Sequence, residues 1–98
     1  MNVVRHVVVR GRVQGVGYRA FVEDEAIRRG LAGWVRNRRD GTVEALFSGP
    51  AVAVETMIMD CRQGPWGAQV NGIEAREGRA DELALCGQGL AFAVLPTA

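Results

Sequence analysis

The chain has 98 residues, 48% of them apolar and 23% charged, with a formal net charge of +1. That length fits one domain spanning residues 1–98, burying roughly 60–65% of its unfolded surface in one core, and a second domain does not fit. The balance excludes a disordered tail and gives no electrostatic reason to expect nucleic acid or an anionic membrane as partner.

Val3 to Val13 is dense in β-branched residues, with Val7, Val9 and Val13 on one parity and Arg10 and Arg12 on the other. That pattern predicts an interior strand. The run carries charges and no small-residue cleavage site, so it is not a signal peptide, and no segment has the ~18 apolar residues that cross a bilayer. The chain then passes Gly11, Gly15 and Gly17 and places Arg19 where a helix begins. A cation there opposes the positive end of the helix dipole, at a cost of about 0.3–1 kcal/mol. In the helix, Tyr18, Phe21, Val22 and Ala26 form the apolar stripe, while Glu23, Asp24 and Arg28 face away and Ile27 is an exception. Arg28 and Arg29 suit its C-terminus and Gly30 its left-handed cap.

LAGWVRNRRDGTVEALFSG reads as two antiparallel strands around Arg39-Asp40-Gly41, where Asp-Gly is a strong hairpin signal. Gly49-Pro50 opens a second helix with proline at its first position, an inner stripe of Ala51, Val54, Ile58 and Cys61, and a stop at Gly64-Pro65. Gly67 to Glu77 is a fourth strand with a bulge hinted at Gly72. Arg79 to Gly89 reads as a loop, and Leu90 to Leu95 as a last strand before Pro96. This order gives an α+β, ferredoxin-like βαββαβ sandwich: an antiparallel sheet with two helices on one face, plus a short C-terminal strand.

Gly15 to Ala20 formally matches the dinucleotide fingerprint GxGxxA, but the next element is a tight hairpin and the position some twenty residues on is Arg39, not an acid. No Walker loop is present. What remains is the capacity of such glycines to turn successive amides inward as a nest beside a helix N-terminus, an anion cradle that Arg19 would close with its bidentate fork. The alternative is a tight turn whose arginine points to water. Asn37 is the second anomaly. It shares the parity of Val35 at a strand end, where it is either an ordinary polar terminus or an amide that orients a water.

The other candidates are weaker. His6, the sole histidine, has no carboxylate or cysteine at ligand spacing, so no metal is expected. Arg36, Arg38 and Arg39 read as a solvated basic face. Trp34, Phe47 and Phe92 read as core, Trp66 sits in a turn, and the helix dipole accounts for Glu23, Asp24 and Glu25. Cys61 and Cys86 are too few for a disulfide framework and read as small buried hydrophobes in a reducing, cytoplasmic setting. No Ser/His/Asp or Cys/His set can be assembled.

Gly11-Arg12-Val13-Gln14-Gly15-Val16-Gly17-Tyr18-Arg19, Gly33-Trp34-Val35-Arg36-Asn37 and Asp40-Gly41-Thr42-Val43-Glu44-Ala45 together closely resemble the acylphosphatase family. The likeness covers residues 5–78 and resumes at Phe92-Ala93-Val94. It implies the ferredoxin-like fold and cofactor-free, metal-free hydrolysis of the carboxyl–phosphate bond of a small-molecule acyl phosphate; a monomer is a separate expectation that no residue of the sequence carries. By the same resemblance, Arg19 and the amides of Gly15, Val16, Gly17, Tyr18 and Arg19 bind the phosphate and Asn37 positions the attacking water. A module that binds an acyl or carbamoyl phosphate without turnover is the alternative. An RNA-recognition domain has the same order of elements, but its base-stacking aromatics are missing from the third strand, Thr42 to Phe47.

Overall fold

A computed structural model of the chain describes residues 1–86 and 91–98. The elements are β1 (Asn2–Arg12), α1 (Tyr18–Arg28), β2 (Ala32–Asn37), β3 (Val43–Pro50), α2 (Ala51–Gln63), β4 (Gln69–Glu77), α3 (Ala80–Leu83), a 3₁₀ turn (Ala84–Cys86) and β5 (Phe92–Val94). They form one five-stranded sheet in the order β4-β1-β3-β2-β5. The first four strands pair antiparallel, as the ferredoxin-like reading requires, and β5 joins parallel to β2, with Gly33 opposite Phe92. The expectations for Gly87 to Gly89, for the strand start at Leu90 and for the Cys86 side chain lie outside this description.

Alternation along the strands decides which residues fill the core. Val7 and Val9 of β1, Val35 of β2 and Ala45 and Phe47 of β3 are fully buried, and they meet Tyr18, Val22 and Ala26 of α1 with Val54, Met57 and Cys61 of α2. Each fully buried Val, Phe or Met contributes about 1.5–3 kcal/mol, so this layer dominates stability. The inner stripe of α2 is turned slightly from the expected one: Met57 is fully buried, whereas Ala51 and Ile58 are half-buried. Pro50 precedes the helix instead of occupying its first position. Its ψ of 138° is extended and it still pairs with Asn2, so the strand runs into the helix without a loop and the Ala51 amide donates to Met1 O at 2.9 Å. β4 carries the hinted bulge: Arg10 faces Gly72 but Gly11 faces Val70, leaving Asn71 as the extra residue.

The opposite face of the sheet is also covered, by a segment expected to be loop. Trp34, Leu46 and Ala93 are buried there beneath Leu83 of α3, and the Trp34 indole donates to Glu82 O at 2.8 Å. The Glu82 carboxylate in turn accepts the Arg79 amide at 2.9 Å. A four-residue helix is shorter than any window in which helical periodicity can be counted. Arg36 departs from the solvated face expected of it. Its Nε donates to Glu44 at 2.6 Å while its guanidinium lies 4.8 Å over the Trp34 ring. His6 has a carboxylate partner after all, because antiparallel pairing brings Glu44 diagonally beside it, with Nε2 to Oε2 at 2.6 Å.

Candidate active site

β1 ends at Arg12, Val13 is buried, and the chain then turns through Gly15 and Gly17 with φ of +74° and +80°. Val16 between them has negative φ, so the sign alternates along the loop. That alternation points successive amides to one side, the geometry of an anion-binding nest. A Cβ at either glycine would meet nothing within 4 Å; glycine is needed for the left-handed backbone and not for space. The side chain of Val16 turns the other way and packs on the core.

The nest runs directly into α1. Gly17 is its N-cap and offers no side chain to the helix, and the first helical bond is from the Phe21 amide to Gly17 O at 3.0 Å. The amides of Tyr18, Arg19 and Ala20 therefore lack helical acceptors, as the first turn of any helix does. Here no capping side chain replaces them and no acidic residue stands in the first turn. Arg19 is the charge at this end, half-buried. Tyr18 contributes its amide alone, because its ring is buried and its hydroxyl donates to Cys61 O at 2.6 Å.

Gly15, Gly17, Tyr18 and Arg19 line a cleft of about 320 Å³ whose other walls include Asn37 and Val94. Asn37 closes β2 opposite Val43, and its carbonyl accepts the Ala98 amide at 3.0 Å, which pins its backbone from the neighbouring edge. Its side-chain Oδ1 is buried and has no hydrogen-bond partner among the described residues. The arginine and the asparagine singled out in the sequence thus face one cavity from different elements.

One further residue lines this site and another adjoins it. Glu23 lines the cleft, half-buried, and does not face away. The dipole does not explain the acidic run either, since its reach ends with the first turn and Glu25 is instead held by Arg28 and Arg29. The spacing of four from Arg19 is the signal that could have found Glu23, for i and i+4 share a helix face. Gln14 had no such signal. Its Nε2 donates to Arg38 O and Thr42 O at 2.8 Å each, partners 24 and 28 residues away.

Neither Cys61 nor Tyr18 is available as a nucleophile. Burial pushes the Cys61 thiol up to about 12 and raises the Tyr18 phenol far above its ordinary value, so both stay protonated at neutral pH. Among the described residues no three His, Cys, Asp or Glu side chains come together as metal ligands. Among the described residues no helix is long and apolar enough to cross a membrane.

A family model described as Acylphosphatase matches residues 5–84. The acylphosphatase of Rhodopseudomonas palustris (strain BisB18) is 57% identical over 96 residues, which are 98% of this chain and 97% of that one. The solved structure of acylphosphatase from Bacillus subtilis is 38% identical, with a TM-score of 0.82 over 97% of this chain and 99% of its own. An acylphosphatase structure from Coxiella burnetii is 29% identical, with a TM-score of 0.83 and coverage of 96% and 93%.

Proposed function

The chain belongs to the acylphosphatase family and hydrolyses acyl phosphates, and from that premise we propose that the nest of amides from Gly15 to Arg19, closed by the Arg19 guanidinium, holds the phosphate while Asn37 orients the attacking water. The water oxygen attacks phosphorus, the bond from phosphorus to the carboxyl oxygen breaks, and its electron pair leaves with the carboxylate. The proton lost by the water passes to a phosphate oxygen of the substrate. A carboxylate is a good leaving group, so placement and charge neutralisation can supply the catalysis without a covalent intermediate. Donors fixed in advance by the backbone need no reorganisation as charge moves in the transition state.

The observation that carries this reading is that Asn37 lines the same cleft as Gly15, Gly17 and Arg19, from a different element. A neutral amide there offers a donor and an acceptor with which to orient a water. The reading extends to a monomer working in the cytoplasm on a small molecule, with neither nucleic acid nor membrane as partner. Inorganic phosphate released from a simple acyl phosphate, with a chelator present, tests it. Wild type should turn over as fast as without chelator, and Asn37→Ala should lose roughly 10²-fold or more in kcat, the scale of removing one positioned polar group, while phosphate still inhibits as in wild type. Full turnover by Asn37→Ala would show that the water is oriented by something else. Tight phosphate binding by the wild type with no hydrolysis would favour the binding module.

A further inference from the structure

We propose that Gln14 is a positioning residue that fixes the span between the phosphate nest and the amide of Asn37; the inference rests on the role given to Asn37 above. The β1–β3 ladder ends at the pair Val9 and Val43. Beyond it, among the described residues, no strand pairing ties the loop that follows β1 to the turn that joins β2 and β3. Gln14, the residue before the nest opens at Gly15, bridges that gap. Its Nε2 has two hydrogens, and its two acceptors are the carbonyls of Arg38 and Thr42, each at 2.8 Å.

Those acceptors are the two residues that flank the Asn37–Val43 pair on its turn side. Arg38 follows Asn37 directly, its own amide donates to Thr42 O at 2.9 Å, and Asp40 accepts the Thr42 amide at 3.0 Å and its hydroxyl at 2.6 Å. The turn is therefore a closed unit that moves with Asn37, and Gln14 holds it by both sides. Among the described residues no other side-chain hydrogen bond joins residues 13–17 to residues 37–43. The nest and Arg19 lie within one continuous segment, so their grip on phosphate does not pass through Gln14. The distance from that grip to Asn37 does.

Gln14→Met keeps the length of the side chain and removes both donors. Its kcat should fall roughly 10- to 100-fold, the scale of a misplacement near 1 Å, while inhibition by inorganic phosphate stays within about twofold of wild type. Gln14→Ala provides the same measurement should the thioether not fold, with circular dichroism confirming the native state of whichever variant is assayed. Gln14→Met in the Asn37→Ala background should add no further loss, because an amide already absent cannot be displaced. Wild-type kcat in both Gln14 variants, losses that multiply in the double variant, or a matching loss of phosphate affinity would each overturn the proposal. Those results leave the Asn37 reading standing if Asn37→Ala alone is slow. Full turnover by Asn37→Ala sinks that reading, and this inference with it.

Discussion

Arg19 carries the wrong charge for its place in α1 and the right one for the phosphate grip proposed for it. In the first turn a cation costs about 0.3–1 kcal/mol, whereas a hydrogen bond from a charged group to a phosphate oxygen gives about 1.5–3 kcal/mol. Binding therefore outweighs the local penalty only when an anion is present. Arg19→Ala should leave the free protein as stable as wild type or more stable by up to about 1 kcal/mol in urea unfolding, and should weaken phosphate inhibition at least tenfold. A variant that lost stability but kept phosphate affinity would place Arg19 among the structural residues. Arg19→Lys should recover little, since a compact ammonium lacks the planar fork that grips two oxygens at once.

At the scale of elements, β1 and β3 together bury a charged group on the face of the sheet away from α1 and α2. Burial alone would raise the pKa of Glu44, but hydrogen bonds from His6 and Arg36 outweigh it and hold the carboxyl below its ordinary value of 4.5. A carboxyl depressed on folding stabilises the protein above its unfolded pKa and loses that contribution as pH falls through the folded one. Glu44→Gln should therefore cost about 3 kcal/mol at pH 7, because it leaves the half-buried Arg36 guanidinium without its charge partner, and the gap to wild type should narrow as pH falls below about 4.5. Urea unfolding of both proteins at pH 7 and pH 3 measures this, and an equal gap at the two values would remove Glu44 from the account. The triad also marks a limit of reading the sequence. His6, Arg36 and Glu44 are each unremarkable in their strands, and only the register of β1 and β2 against β3 makes them one cluster.

For the molecule as a whole, what was legible was local. The valine run, the Asp-Gly turn, the glycine loop and the stripe of α1 each declare themselves within a dozen residues, and they gave the order of the first four strands and two helices and singled out Arg19 and Asn37, which line one cleft. What was not legible depends on partners distant in sequence or on segments too short to have a period. The parallel pairing of β5 with β2, the covering of Trp34 by α3 and the bridge from Gln14 to the hairpin belong to these kinds. The cleft itself is assembled from β1's exit loop, the start of α1 and the end of β2, so its chemistry is a property of the fold that no single motif carries. Titration of uniformly ¹⁵N-labelled protein with inorganic phosphate, followed through the backbone amide resonances, tests its central claim most directly. Saturable shifts should be largest at Gly15 to Arg19 and should weaken at least tenfold in midpoint in Arg19→Ala; shifts that leave these amides unmoved while phosphate inhibits would contradict it.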